Sequence, residues 1–148
     1  AGHTNPGLPI AQALVERGHE VVWYGGRRFQ AAIAATRAQF APIEAAADIG
    51  DANLDELFPE RAKLSGLAGF KFDLKHLFLD NVPGQITDLQ RILATFPADV
   101  IVGDTGFVGM SMLHELGGPR WATYGITALT LGSRDTAPRP AASSAARL

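Results

Sequence analysis

The sequence predicts an α/β domain: a parallel β-sheet with helices on both faces. Three observations carry this. Helical and strand-like segments alternate along most of the chain. The strand-like segments are short, continuously apolar runs, the pattern of strands buried on both faces. Hydrophobic residues make up 47% of the 148 residues and charged residues 19%, enough apolar material for the core of one domain of ordinary size.

The first helix is read from "NPGLPIAQALVERG". Asn5 is expected to cap it and Pro6 to sit in its first turn. Leu8, Ala11, Leu14 and Val15 recur at helical spacing, and Gly18 ends the run. A buried strand follows at 20–25, then an alanine-rich helix at 27–38. A second strand is expected at 39–44, short or near an edge because it contains Pro42. Residues 45–69 read as a loop with one short helix. Residues 70–96 carry a helical stripe in two parts, Leu74, Leu77, Phe78 and Val82, then Ile86, Leu89 and Leu93. Pro83-Gly84 should kink or break it between them. "DVIVGD" (99–104) reads as a central parallel strand, 106–118 as a helix and 120–126 as the last strand. The tail from Leu131, rich in Pro, Ser and Ala, lacks a core-forming pattern. The domain is therefore set at 1–132, with 133–148 as a linker or disordered tail.

Composition narrows the function. Thirteen Lys and Arg against fifteen Asp and Glu give a net charge of −2, which offers no electrostatic case for nucleic acid. The absence of cysteine excludes thiolate metal sites and disulfides. No apolar run is long enough for a stable membrane insertion. The opening lacks the sections of a signal peptide and does not begin with methionine, so it reads as a start inside a longer gene product.

In sheets of this kind, ligands bind beyond the carboxyl ends of the strands. Two polar residues are expected there if a strand precedes Ala1: His3, before the first helix, and Asp104, closing the "DVIVGD" strand. A neutral imidazole can take a proton from a hydroxyl, and a carboxylate on its other nitrogen fixes the tautomer and stabilises the imidazolium. Such a pair needs no metal. Two plainer readings stand beside it: His3 as a solvated loop residue and Asp104 as the cap of the next helix. Neither a Walker loop nor a G-x-G-x-x-G fingerprint is present. His19 reads as a solvated turn residue. His76 and His114 lie in helices, with no second ligand expected at i+4 to make a metal pair.

The opening "GHTNPGLPIAQALVERGHEVVWYGG" closely resembles the amino-terminal, acceptor-binding domain of two-domain GT-B glycosyltransferases of the macrolide and flavonoid type, relatives of UDP-glucuronosyltransferases. The motif residues are Gly2, His3, Asn5, Pro6, Arg17, Gly18, His19 and Val21. The resemblance continues through "PERAKLSGLAG", "VPGQITDLQRIL", "PADVIVGDTGFVG" and "SRDTAP", to about Pro138. It implies a Rossmann-like half of a GT-B fold, lacking the strand that precedes Gly-His in the family and the carboxyl-terminal donor-binding domain. It implies an inverting hexosyl transfer, with a nucleoside-diphosphate sugar as co-substrate and no cofactor or metal. His3 would be the general base and Asp104 its orienting partner. An apolar acceptor pocket would draw on Phe58, Phe70, Phe72 and Phe78, with Leu57 nearby, and on Thr105 and Phe107 beside Asp104. Gly2 and Thr127 fall on the donor side. The expected partners are a hydrophobic small-molecule acceptor, a sugar nucleotide and the missing domain in cis. The expected setting is cytoplasmic, and a homodimer is left open. Two alternatives stand: a cell-wall lipid-intermediate glycosyltransferase, and a non-catalytic α/β binding module.

Overall fold

The computed structural model describes residues 2–49 and 54–126. Thr127 and the tail fall outside the described residues. The alternation holds. After a 3-10 turn at Asn5–Gly7 come α1 (Leu8–Glu16), β1 (Val22–Gly25), α2 (Gln30–Ala35, led in by a 3-10 turn), β2 (Gln39–Pro42) and α3 (Leu54–Leu57). Then follow α4 (Gly66–Asp73), a π-helical turn at Leu74–Leu79, α5 (Val82–Thr95), β3 (Val100–Asp104), α6 (Val108–Glu115) and β4 (Arg120–Tyr124).

Local chemistry explains most boundaries. Gly18 takes φ +87, so the helix ends where glycine alone is unstrained. Pro42 closes β2, which pairs only with β1 among the described residues, as suits a strand with a missing donor. Two expectations are corrected. Asn5 does not cap α1: Thr4 is already helical, so Asn5 lies inside the 3-10 turn and no side chain caps it. Pro83-Gly84 does not break the long helical stretch. The break falls earlier, at Asp80-Asn81, and Pro83 sits in the first turn of α5, where its missing N–H leaves nothing unpaired. The 45–69 stretch is also more helical than expected, since α4 starts at Gly66.

The strands form two separate parallel pairs. β1 lies on β2 with Val22 opposite Gln39, and β3 lies on β4 with Val100 opposite Arg120. The "DVIVGD" strand is therefore not central among the described residues: it has a partner on one side only. The free sides of β1 and β3 line one cavity of about 890 Å³, walled further by Ile10 and Leu14 of α1 and by Leu89 and Ile92 of α5. Val100 and Val102 remain 49% and 42% exposed, which is high for an apolar strand. The buried apolar residues are Ile33, Ala38, Ala41, Met110 and Leu113, with Ala11 and Leu89 in the cavity wall.

α5 carries a second anchor. Asp88 is 1% exposed. Its carboxylate accepts the backbone N–H groups of Glu44, Ala45 and Ala46 and the Tyr24 hydroxyl, and Arg91 approaches it at 3.4 Å. These bonds tie β1 and the chain after β2 to α5. A Cβ on Gly84 would stand 2.6 Å from Ala46 Cα, so the same junction needs glycine for close approach. No helix among the described residues is long and apolar enough to cross a membrane.

β1 and β3 each have one edge that no described strand pairs, and both line the cavity, so a parallel strand is expected to fit between them. Such a strand, ending at Gly2, would arrive at the edge where His3 meets the end of β3. A β-branched apolar segment of about six residues fused before Ala1 is expected to raise the melting midpoint by about 5 °C or more. A scrambled polar segment of equal length should not. Equal midpoints for the two fusions would remove the strand slot.

Candidate active site

The site is built at the carboxyl ends of the strands. β3 delivers Asp104, and the turn before α1 delivers His3. His3 Nδ1 lies 3.1 Å from Asp104 Oδ1, although the two residues are far apart in the chain. The His3 side chain is 57% exposed and that of Asp104 16%, so the imidazole faces solvent while the carboxylate is mostly covered. The covered carboxylate is held in place: the backbone N–H of Gly106 donates to the same Oδ1 at 2.6 Å. This is a local turn. Asp104 does not cap α6, whose N-terminal flank is Phe107. A neutral imidazole that directs its Nδ1–H at Asp104 would present a lone pair on Nε2, the arrangement required of a base.

Tyr124, opposite Asp104 in the strand register, supports the histidine from behind: its hydroxyl donates to the His3 carbonyl at 3.2 Å. Burial, and then the Asp104 charge, push the Tyr124 phenol upward, so it keeps the proton it donates. Tyr124 was not singled out from the sequence, although its place at the end of a strand was a usable signal.

The other expected site residues separate. Phe78 is at the pair: a Cβ on Gly106 would lie 3.0 Å from Phe78 Cε1 and 3.6 Å from His3 Cε1, so the three residues crowd one spot. Thr105 is exposed beside Asp104, and Gly2 is exposed beside His3. Phe107 stacks on Tyr24 with ring centroids 5.8 Å apart, against the large cavity. Phe58 and Phe72 pack on each other and on His76, apart from Phe70, which is 63% exposed. Leu57 is also exposed. His76 is set aside in the sequence for want of a second ligand at i+4; that is corrected, because the Asp80 carboxylate stands at this spacing with Oδ2 2.8 Å from His76 Nδ1. His114 is spent on the carbonyls that follow α6.

No protein-family model matches the sequence. The chain is similar to a 4'-demethylrebeccamycin synthase of Lentzea aerocolonigenes, with 39% identity over 137 residues, 93% of this chain and 32% of that protein. It is 30% identical over 138 residues to UDP-glucosyltransferase B1 of Starmerella bombicola, covering 90% of this chain and 31% of the relative. The chain is homologous to glycosyltransferases. It spans about a third of the length of these relatives. Two solved structures share the fold. The glycotransferase of kitacinnamycin matches with a TM-score of 0.61 and 21% identity over 85% of this chain and 28% of its own. The calicheamicin glycosyltransferase matches with a TM-score of 0.63 and 16% identity over 84% of this chain and 29% of its own. The α/β fold is thus part of a GT-B glycosyltransferase fold, as the opening motif implied.

Proposed function

We propose that this chain is the acceptor-binding half of an inverting glycosyltransferase. The enzyme would move a hexose from a nucleoside-diphosphate sugar to a hydroxyl of a hydrophobic natural product. The observation that carries the reading is the His3–Asp104 contact at the carboxyl ends of the strands. The Nε2 lone pair of His3 takes the proton of the acceptor hydroxyl. The oxygen attacks the anomeric carbon from the face opposite the leaving nucleoside diphosphate, so the new bond forms with inversion. The bond to the diphosphate breaks with its electron pair, and Asp104 stabilises the imidazolium left behind. The proton transfer itself needs no metal.

Phe78 beside the pair supports an apolar surface for the acceptor. The names of the Starmerella bombicola relatives support a UDP-sugar as donor. In this reading residues 1–132 form the acceptor domain and 133–148 lead towards a donor-binding domain in cis, with Gly2 and Thr127 on the donor side. The setting is cytoplasmic, and a homodimer is compatible with it.

The test separates enzyme from binding module. This chain alone, incubated with UDP-glucose and a panel of phenolic and indolic acceptors, is expected to give no conjugate. The same chain within its full-length protein should give one, with inverted anomeric configuration. Turnover by the chain alone, or a retained configuration, would sink the reading.

A further inference from the structure

We infer that Tyr124, at the end of β4, is a positioning residue: its hydroxyl fixes the main chain of His3 and so keeps the imidazole on Asp104. The inference rests on the reading of His3 as the base and adds the residue that holds that base in place.

His3 stands outside the helices and strands, just ahead of the 3-10 turn at Asn5–Gly7, and its side chain is exposed. Apolar packing therefore does little to direct it. Among the described residues it makes two hydrogen bonds. Its Nδ1 meets Asp104 Oδ1 at 3.1 Å, and its carbonyl accepts the Tyr124 hydroxyl at 3.2 Å. Asp104 and Tyr124 lie opposite each other at the ends of β3 and β4. One pair of strand ends thus grips a single residue at two points, side chain and main chain. A hydrogen bond at the ring alone would leave the main chain free to shift beneath it.

Tyr124 is the one part-buried residue of β4; Arg120, Trp121, Ala122 and Thr123 are exposed. Its hydroxyl reaches the space beside Gly7, the buried last residue of the 3-10 turn. A Cβ on Gly7 would stand 2.6 Å from Tyr124 Oη and 2.8 Å from Trp23 Cη2. The turn that follows His3 is therefore met by side chains from both strand pairs, Trp23 from β1 and Tyr124 from β4, and glycine leaves room for them. The phenol holds its proton and so serves as a donor to the carbonyl. Bonded to the carbonyl and not to the ring, Tyr124 moves no proton in the reaction. It acts only through the direction it gives His3. Placement matters at this scale, since a displacement of about 1 Å can cost a catalytic group about 10²-fold.

The experiment uses the full-length protein with isotope-labelled histidine, the His3 signals being assigned by their loss in His3→Ala. At about pH 8.5, where an ordinary imidazole is neutral, the His3 ring is expected as one tautomer with its proton on Nδ1. Its two ring-nitrogen resonances then stand far apart. Tyr124→Phe keeps the aromatic ring and removes only the hydroxyl. The two resonances should draw together as the imidazole leaves Asp104 and the tautomers mix. The kcat should fall about three- to tenfold, the worth of one net hydrogen bond, with both KM values unchanged. In the His3→Ala background the same substitution should leave kcat within about twofold, because no base remains to be positioned. A merely structural Tyr124 would lower kcat by the same factor in both backgrounds and leave the resonances where they were. Mixed tautomers in the unaltered protein, an unchanged spectrum in Tyr124→Phe, or equal losses of kcat with and without His3 would overturn the inference. The spectra need no turnover. A protein whose resonances respond as expected but that transfers no sugar keeps His3 held by Tyr124 and loses the transferase reading alone.

Discussion

In the full-length protein, His3→Ala lowers kcat by about 10²–10⁴-fold, the ordinary worth of a positioned general base. Affinity for the sugar nucleotide is expected to change little, since the proposed reading gives the donor mainly to another domain. Asp104→Asn lowers kcat by at least about tenfold. The amide oxygen can still accept from His3 Nδ1 and from the Gly106 N–H, which now share Oδ1, but it brings no charge to stabilise the imidazolium. The double variant is expected within about twofold of His3→Ala alone, because an orienting group has nothing to orient once the base is gone. Asp104→Asn is the discriminating variant because it preserves the turn and removes only the charge. A purely structural Asp104 would leave its kcat unchanged, and the pair would then have no catalytic meaning. Measuring kcat, donor affinity and melting midpoint for the three variants decides the matter.

The parts of this molecule that could be read in the sequence are those governed by local chemistry. Gly18, the β-branched run around Val22 and the acid-terminated run 100–104 each specify an element without help from distant residues. His3 and Asp104 were legible for a further reason. Asp104 closes a strand and His3 leads into a helix, and in an α/β fold such strand-to-helix junctions gather beyond the carboxyl ends of the strands, so topology brings together what the chain separates. What could not be read was set by contacts. Pro83 looks like a breaker, but its effect depends on whether it falls inside a helix or at its start, and the Asp80-Asn81 break puts it at the start. The expected acceptor phenylalanines all looked alike in sequence. Only packing separates Phe78, beside His3, from Phe107, spent on Tyr24, and Phe70, turned to solvent. His76 was set aside for want of a second ligand at i+4, although Asp80 stands at that spacing, 2.8 Å from its Nδ1. The sequence also led to one sheet, whereas two pairs of strands face a cavity.

Asp88 is the clearest case of function in stability hidden behind an ordinary residue. On α5 it sits beside the apolar stripe of Ile86, Leu89 and Leu93, where a charged residue would be taken for the solvated face. It is instead almost wholly buried, gathering three backbone N–H groups and a phenol. Burial alone would push its carboxyl up. The N–H groups of Ala45, Glu44 and Ala46 and the Tyr24 hydroxyl outweigh that and leave it below the usual carboxylate range. Burial, reinforced by the Asp88 charge, pushes the Tyr24 phenol far up, so Tyr24 remains a donor. Removing the carboxylate takes the shared acceptor away from all these donors at once. Asp88→Ala is therefore expected to cost about 3–5 kcal/mol, the usual penalty for breaking a buried charged network. That is a large share of the roughly 5–15 kcal/mol of a whole domain. With a urea slope of about 1–3 kcal/mol per molar, the midpoint should fall by about 1 M or more. Asp88→Asn should lie between, since its amide turns two donors towards other donors. The sign with pH follows from the lowered carboxyl: the contribution is complete above the unfolded value of about 3.9 and is lost as pH falls through the folded one. Urea midpoints between pH 7 and pH 2 should therefore converge for the native chain and Asp88→Asn at the acid end. A midpoint unmoved by Asp88→Ala at pH 7 would mean that β1 and the chain after β2 are held to α5 by apolar packing alone.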